Sequence, residues 1–412
     1  MKHYPITVLG LPLGTKTLAG MTQANKEIAE ADILCAYKKT LALVGQNTKK
    51  SLTLGVPLDA SLPSLRALWN DGAKILVLAL GDPLFFGIGS SLAAHFQKHD
   101  LRILPTVSSL QAACARLALP WANVRTISLH GRNLKEALHT LNQALLDGSP
   151  ICLLTDKEFS QADIAAHLTA KHYACTMHVF TGLGTEEESH SIWRIPGDCP
   201  ESPTDLPVTI LLEPEQVKQP LLGIADSVFQ KRTSCFTRRP VRAVALSYLA
   251  LKPQDILWDI GAGSGALSIE AASLLAKGAI YAIEERAERI AQIKELLKDY
   301  PIPIINPVAG HAPDALIDLP DPNAVFIGGG LAHDAQAILE AASTRLTPGG
   351  RLVASCVLLS SLLACTQFFA EQNWPSESIL LQTAEAKALS IGSHYTSANP
   401  VYLVLGTKPL SA

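Results

Sequence analysis

The chain has 412 residues, of which 48% are hydrophobic and 17% charged, so it is long enough for more than one buried core and is not disordered. Its 34 basic and 37 acidic side chains leave a net charge of -3, and aromatic residues make up 6%. This composition lacks the basic surface and the stacking platforms of a nucleic-acid-binding protein, so we expect a small-molecule ligand. Eight cysteines without a CxxC pair, in a chain whose start does not resemble a secretory signal, predict reduced thiols, no metal site and a cytoplasmic location.

In the first half of the chain, apolar strand-like runs alternate with helix-like patterns, which predicts parallel βαβ units and an α/β fold. We expect strands at 6–10, 32–36 and 75–80, and helices at 22–30, 63–70 and 89–98. The alternation resumes with a helix near 108–118 and with strands near 124–129, 151–154 and 208–212. Two lobes are therefore expected, at about 1–105 and 106–215.

The periodicity fades between residues 213 and 240, where Pro214, Pro220 and Gly223 interrupt the chain, so we place a linker at 216–240. The remaining residues, 241–412, fit one doubly wound domain with strands near 256–260, 279–283, 303–308, 323–327 and 351–357. The uncharged stretch 352–370 approaches transmembrane length, but its polar residues favour a strand followed by a buried helix, and no membrane contact is expected.

A glycine-rich turn follows the predicted strand 256–260 and opens a helix at Ala266. Such a turn brings bare backbone and a helix N-terminus against a ligand. Its glycines also satisfy the looser dinucleotide fingerprint, with Glu284 at roughly the expected 20-residue distance. Two details favour S-adenosylmethionine: Asp259, whose carboxylate suits the cofactor's ammonium group, and residues 346–353, which resemble the turn before the fifth strand of class I methyltransferases. A nicotinamide-dependent oxidoreductase stays the alternative.

Three motifs occur in order in the N-terminal half: the glycine cluster at 78–89, the hydroxyl-rich segment at 105–113, and Ser128-Leu-His-Gly-Arg132. Together they resemble the class III tetrapyrrole methylase family, in particular the branch that methylates precorrin-6 type intermediates. The C-terminal half is similar to the decarboxylating partner of that branch through 236–243, 258–265, 281–285, 310–313 and 325–330. The combined order resembles the fused precorrin-6Y C5,15-methyltransferase (decarboxylating) family of cobalamin biosynthesis.

This resemblance implies a two-lobed class III tetrapyrrole methylase fold at 1–215 and a Rossmann-like class I methyltransferase domain at 241–412. It also implies C-methylation of a precorrin at C5 and C15, decarboxylation of an acetate side chain, and a homo-oligomer. Two S-adenosylmethionine sites, one per domain, follow from it. The matching first-domain positions are Gly10, Gly81, Asp82, Pro83, Ser108 and Ser109. The matching second-domain positions are Thr237, Gly261, Ala262, Gly263, Ser264, Gly265, Glu284 for the ribose and Ala312 near the adenine.

A precorrin substrate carries several carboxylates, which arginine guanidinium groups bind well. The substrate-binding candidates are His130, Arg132, Arg239 and Arg242; the same basic segment also holds Lys231, Arg232 and Arg238. We assign no catalytic residue, because methyl transfer depends on positioning and needs no side-chain nucleophile.

Two segments depart from the family pattern. The opening loop, Gly10-Leu-Pro-Leu-Gly14, replaces Gly-x-Gly-Pro-Gly, so Leu11 and Leu13 add bulk near the first cofactor site. An N-terminal domain that serves only as a scaffold is therefore an alternative. In the second segment, Pro240 stands where the family has a glutamate, and it either removes a functional carboxylate or occupies the first turn of a helix.

Overall fold

A computed structural model describes residues 4–44, 50–55, 57–129, 133–155, 160–197, 199, 206–215, 222–230 and 236–410. They fall into two compact units. The first unit lies within 1–134, 149–166 and 175–214, and the second within 135–148, 167–174 and 215–412. The main boundary between the units, at 214/215, lies near the start of the stretch in which the sequence periodicity fades. The sequence pattern does not predict that the short segments 135–148 and 167–174 belong to the second unit.

The first sheet is parallel throughout and has the strand order β3-β2-β4-β1-β5. Its elements are β1 (Ile6–Leu11), α1 (Thr22–Glu30), β2 (Ile33–Ala36), α2 (Lys38–Ala42), β3 (Lys50–Thr53), α3 (Leu62–Asn70), β4 (Ile75–Leu80), α4 (Ile88–Ala93) and β5 (Leu101–Leu104). In the register of β1 and β4, Leu11 lies opposite Leu80. The loops that follow these two strands, which carry Gly14 and Gly81, therefore start side by side.

The second sheet is mixed and has the order β6-β7-β10-β8-β9, with only β6 and β7 parallel among its described pairs. The elements in this part of the chain are α5 (Ser109–Arg116), β6 (Arg125–Ser128), α6 (Leu134–Ala144), β7 (Ile151–Thr155), α7 (Gln161–Ala170), β8 (Cys175–Thr181), β9 (Ser189–Ile195) and β10 (Val208–Pro214). The predicted strands correspond to β6, β7 and β10, while β8 and β9 are additional.

The second unit contains a sheet of order β13-β12-β11-β14-β15-β19-β16, parallel except that β19 runs antiparallel to both neighbours. Its elements are α8 (Asp226–Gln230), α9 (Arg239–Leu249), β11 (Ile256–Ile260), α10 (Ala266–Ala271), β12 (Ala279–Glu284), α11 (Ala287–Asp299), β13 (Ile305–Ala309), β14 (Ala324–Ile327), α12 (Ala335–Arg345), β15 (Arg351–Cys356), α13 (Leu359–Glu371), β16 (Ser376–Leu381), β17 (Ala384–Leu389), β18 (Gly392–Ser397) and β19 (Val401–Thr407). Strands β17 and β18 pair with each other as a separate hairpin.

The five strands predicted for this half are β11 to β15. The uncharged stretch 352–370 forms most of β15 and α13, as predicted, but α13 is only partly buried, since Phe368 and Phe369 lie in the core while Leu359 and Leu363 are exposed. In the part of the chain that the structure covers, no helix combines the length and the hydropathy needed to cross a membrane. Pro240 lies in the first turn of α9, where its missing N–H costs no hydrogen bond.

The cysteines of the described segments are buried, and none of these cysteines forms a disulfide. Burial raises the pKa of the Cys35 thiol to about 12. The same cause raises the pKa of Cys152 to about 12, so both stay protonated at neutral pH.

Candidate cofactor sites

The glycine loop after β11 contacts a second glycine loop after β14. Gly261 adopts a φ of 69°, in the left-handed region that glycine tolerates best. A Cβ on Gly261 would lie 2.6 Å from the backbone nitrogen of Gly329, closer than carbon and nitrogen can approach. The two loops therefore meet through backbone alone, at the carboxyl ends of adjacent parallel strands where α/β sheets bind their ligands.

Glu284, the last residue of β12, is 3% exposed, and its carboxylate is fixed by the glycine loop. Its Oε2 accepts a hydrogen bond from the Gly263 N–H at 2.9 Å, and its Oε1 accepts one from the Arg286 N–H at 3.1 Å. The Arg289 guanidinium lies 3.7 Å away. This arrangement presents a fixed acceptor group of the kind that a ribose diol requires.

Two openings flank the contact between the glycine loops. A cavity of about 120 Å³ is lined by Glu284, Ala312 and the Gly328–Gly330 segment. A larger cleft, of about 500 Å³, is lined by Thr237, Ala262 and Gly263 together with residues of β15 and of the segment around the β17–β18 hairpin. Gly261 and Gly328 line both openings, so an elongated ligand could extend from Glu284 to Thr237 across bare backbone.

The loop itself contains a polar group without a partner. The Ser264 hydroxyl is buried and makes no hydrogen bond, although buried hydroxyls are normally paired. The unpaired Ser264 hydroxyl fits a site that binds a polar small molecule at the loop. The close contact between Gly261 and Gly329, which leaves no room for a side chain, supports the same conclusion.

Asp259 does not line either opening, contrary to the direct ammonium contact that its position suggests. It is 1% exposed, and its Oδ2 accepts a hydrogen bond from the Ser268 hydroxyl at 2.6 Å. Burial raises the pKa of its carboxyl to about 7. Asp259 therefore lies beneath the loop and connects β11 to α10.

Arg242 is wrong as a substrate-binding candidate, because its side chain is completely buried. Its guanidinium donates hydrogen bonds to Glu270 and Asp226, both at 2.8 Å, and to the carbonyl of Thr237 at 2.6 Å. It also lies over the Phe229 ring, 4.9 Å from the centroid. Arg242 thus holds the Thr237 segment at the cleft and has no free donor surface facing a ligand.

The other basic candidates differ in position. Arg239 does not line the cleft, and its backbone N–H donates to Asp226 at 2.9 Å. Arg238 does line the cleft, although the sequence gives no reason to prefer it. The remaining cations of the prediction, His130, Arg132, Lys231 and Arg232, lie outside the described residues.

In the first unit, the loops after β4 and β5 converge on Gly10, near the end of β1. A Cβ on Gly10 would lie 2.9 Å from Pro83 Cδ and from Thr106 Cγ2, and 3.0 Å from the carbonyl oxygen of Gly81. Gly81 itself adopts a φ of 72°. The structure therefore brings together Gly10, Gly81 and Pro83 of the predicted first cofactor site.

The polar candidates of this site make local hydrogen bonds. Asp82 Oδ1 accepts from the Leu84 N–H at 2.8 Å, an Asx turn. Ser108 is the N-cap of α5 and forms a capping box with Gln111, while Ser109 is the first residue of the helix. The Asp82 carboxylate and the Ser108 hydroxyl thus shape the loops through local hydrogen bonds.

The two leucines of the opening loop behave differently. Leu11 is 1% exposed and belongs to the core of the first sheet, so it adds no bulk to the site. Leu13 packs against Phe180 and Leu183, and its Cδ2 lies 3.1 Å from the position of a Cβ on Gly81. Leu13 is therefore the one of the two that lies beside the predicted cofactor motif.

Comparison with known proteins matches both halves of the chain. The family model described as tetrapyrrole (corrin/porphyrin) methylases matches residues 6–196, and the model described as a precorrin methyltransferase domain matches residues 227–408. A Sinorhizobium precorrin-6Y C(5,15)-methyltransferase [decarboxylating] is 31% identical over 360 residues, which cover 85% of this chain and 84% of the relative.

Two shorter relatives each match about half of the chain, and the name of each gives a single methylation position. A probable cobalt-precorrin-6B C(15)-methyltransferase (decarboxylating) from Pyrobaculum calidifontis is 32% identical over 44% of this chain and 94% of its own length. A cobalt-precorrin-7 C(5)-methyltransferase from Salmonella typhimurium is 30% identical over 50% of this chain and 98% of its own length.

Proposed function

Since the chain belongs to the precorrin-6Y C5,15-methyltransferase (decarboxylating) family, we propose that it methylates a precorrin-6 type tetrapyrrole at C5 and C15 and decarboxylates an acetate side chain of that substrate. The methyl donor is S-adenosylmethionine, and the pathway is cobalamin biosynthesis. The similarity extends over 85% of the chain, and the N-terminal and C-terminal halves match different methyltransferase models.

We further propose that each domain has its own cofactor site, with 1–215 acting at C5 and 241–412 acting at C15 and in decarboxylation. The observation that carries the second site is the glycine contact at Gly261 beside the fixed carboxylate of Glu284. The convergence of Gly10, Gly81 and Pro83 supports the first. Of the remaining predicted positions, Asp82 and Ser108 shape the loops of the first site, and Ser109 begins α5.

When bound, S-adenosylmethionine supplies an electrophilic methyl group for in-line displacement by a ring carbon. The protein's contribution is to orient the reactants in a site from which water is excluded. Glu284 would accept hydrogen bonds from the ribose hydroxyls, the backbone of 261–265 would contact the methionine part, and Ala312 would pack near the adenine. Arg242 holds the backbone of Thr237, which lines the larger cleft.

Decarboxylation breaks the bond between the acetate methylene and its carboxyl carbon. The macrocycle can accept the electron pair as carbon dioxide leaves, and a proton then replaces the carboxyl group. No side chain is assigned as the proton donor. A metal-free and a cobalt-bound ring are both compatible with this chemistry.

The test is calorimetric titration of S-adenosylmethionine into the full chain and into two matched variants, Gly81→Val and Gly261→Val. We expect two sites in the parent chain and one in each variant. With metal-free or cobalt-bound precorrin-6 substrates, Gly81→Val should retain carbon dioxide release and Gly261→Val should lose it.

Binding that disappears completely in Gly261→Val and is unaffected in Gly81→Val would contradict the first cofactor site. It would make the N-terminal domain a scaffold, with Leu13 filling the space beside Gly81. Failure of the parent chain to bind S-adenosylmethionine would contradict the function as a whole.

A further inference from the structure

We propose that Arg238 is the cation with which the C-terminal cleft binds a carboxylate of the tetrapyrrole, and that Glu385 occupies this guanidinium until the substrate displaces it. The inference rests on the proposed function, since it names the group that recognises the substrate at the same site. It replaces Arg242 and Arg239, the two described arginines that the sequence favours.

Apart from Arg238, the described lining of the cleft is uncharged. Among the side chains that line it in the described part of the chain, Arg238 alone is charged, and the other polar ones are hydroxyls and an amide: Thr237, Ser355, Thr383, Ser397 and Asn399. A planar guanidinium offers a carboxylate two parallel hydrogen bonds, which hydroxyls and a single amide cannot match in strength. A substrate with several carboxylates would therefore direct one of them to Arg238.

Arg238 is also free to move toward such a ligand. It lies immediately before α9 with an extended backbone, and its side chain is 46% exposed. Arg242, by contrast, is completely buried and contacts Glu270, Asp226 and Phe229. The same basic segment thus contains one arginine with a structural role and one facing the cleft.

The partner of Arg238 lies on the β17–β18 hairpin. Arg238 Nη1 and Glu385 Oε1 are 3.5 Å apart, and the Glu385 side chain is 57% exposed. Exposed ion pairs contribute little to stability and are screened by salt. A substrate carboxylate that offers both oxygens would exchange with Glu385 at small cost.

Glu385 is placed to act as a competitor of the substrate. It does not line the cleft itself, but Thr383, two residues earlier, and Ser397, at the end of β18, both do. The base of the hairpin is therefore a wall of the cleft, and its acidic residue faces the cation from the rim. Removal of Glu385 should consequently assist substrate binding, whereas removal of Arg238 should oppose it.

The experiment compares Arg238→Gln, Glu385→Gln and the control Arg239→Gln in the full chain. We expect Arg238→Gln to raise KM for the precorrin substrate about tenfold or more, since a charge-assisted hydrogen bond is lost. Glu385→Gln should lower KM about two- to threefold, and Arg239→Gln should leave it unchanged. The affinity of the C-terminal site for S-adenosylmethionine should stay within about twofold in all three.

Opposite effects of the two cleft variants distinguish substrate recognition from a structural ion pair, which would be weakened equally by either change. An equal rise of KM in Arg238→Gln and Glu385→Gln would overturn the proposal. So would a loss of cofactor affinity in Arg238→Gln, which would assign the guanidinium to the cofactor's own carboxylate. Failure of the proposed function would differ, because the parent chain would then neither bind S-adenosylmethionine nor turn over the precorrin.

Discussion

Asp259 titrates near neutral pH because it is buried beneath the glycine loop. Its pKa is raised from 3.8 to about 7, so between these values the folded protein holds a proton that the unfolded chain releases. Stability from this group is therefore complete below pH 3.8 and is lost as the pH rises toward 7.

We predict that Asp259→Asn removes this dependence, since an amide stays neutral and its oxygen can accept the Ser268 hydrogen bond. Relative to the variant, the parent chain should lose about 3 kcal/mol of unfolding free energy between pH 5 and pH 8. Urea denaturation of both proteins at the two pH values measures this difference. If the two proteins differ in unfolding free energy by the same amount at both pH values, Asp259 is already ionised at pH 5 in the folded protein, which would contradict the prediction.

Gly261→Ala places a methyl group against the backbone of the loop after β14. The φ of 69° and the 2.6 Å approach to Gly329 both oppose a side chain, so we expect a loss of about 2–4 kcal/mol and no cofactor binding at the second site. Gly223→Ala is the matched control, because Gly223 has a φ of 78° but open space around its Cβ position.

The control should cost only the strain of the left-handed backbone, about 1 kcal/mol. Urea denaturation and calorimetric titration of both variants provide the comparison. Equal destabilisation by the two substitutions would show that strain alone, and not the contact between loops, excludes a side chain at Gly261.

At the scale of the elements, the opening loop of the first unit is held by the loop between β8 and β9. A Cβ on Gly14 would lie 2.0 Å from the carbonyl oxygen of Gly184. The Gly184 N–H in turn donates to Glu188 at 2.7 Å, and Glu188 accepts two hydrogen bonds from Arg116 of α5. The loop that carries Leu13 is thus positioned by the second sheet.

We therefore predict that Gly14→Ala weakens cofactor binding at the first site about tenfold or more and spares the second. Leu13 lies close to Gly81, so any displacement of the loop shifts the Leu13 side chain relative to Gly81. Titration calorimetry resolves the two sites, and Gly20→Ala, with a φ of 79° and no neighbour near its Cβ position, serves as the control. Unchanged affinity in Gly14→Ala would separate the loop contact from cofactor binding.

The elements that can be predicted from the sequence are the buried ones, because their residues are mostly apolar. Strand β4 is a continuous apolar run, and β11 is apolar except for Asp259. Both end at glycine-rich turns, so their type and the edge of the sheet that binds a ligand are evident from the sequence. Strand β9 alternates polar residues with a partly buried Trp193, and β17 is exposed along its length, so neither has an apolar signal.

The site residues follow the same rule. Glycines and Glu284 are predictable because local geometry determines their role. The choice among arginines is not, because the burial of Arg242 depends on Glu270, which is 28 positions away in sequence. Only the fold shows that Arg238 faces the cleft.

For the whole molecule, the order of motifs predicts a class III tetrapyrrole methylase fold followed by a class I methyltransferase domain, and the matched families confirm this order. The glycine loop of the C-terminal half alone is also compatible with an oxidoreductase. The three ordered motifs of the N-terminal half argue against that alternative, because a dinucleotide site leaves them unexplained. The domain limits at 215 and 241 stay a prediction. The second compact unit also includes the short segments 135–148 and 167–174, whose placement depends on tertiary contacts.

Assembly is the remaining property of the whole molecule, and we propose a homo-oligomer. The β17–β18 hairpin supports association of copies, because it exposes Leu389, Tyr395 and Ile391, the last to 94%. Apolar side chains grouped on a protruding hairpin mark an interaction surface more often than isolated ones do.

We predict that Ile391→Asp converts the oligomer to a smaller species while each chain still binds S-adenosylmethionine, since a charge at the hairpin tip cannot be buried without a partner. Light scattering coupled to size exclusion gives the mass. Leu410→Asp is the matched control, because Leu410 is also exposed, to 78%, but lies outside the hairpin. If Ile391→Asp leaves the mass of the parent oligomer unchanged, the hairpin is not the contact between copies.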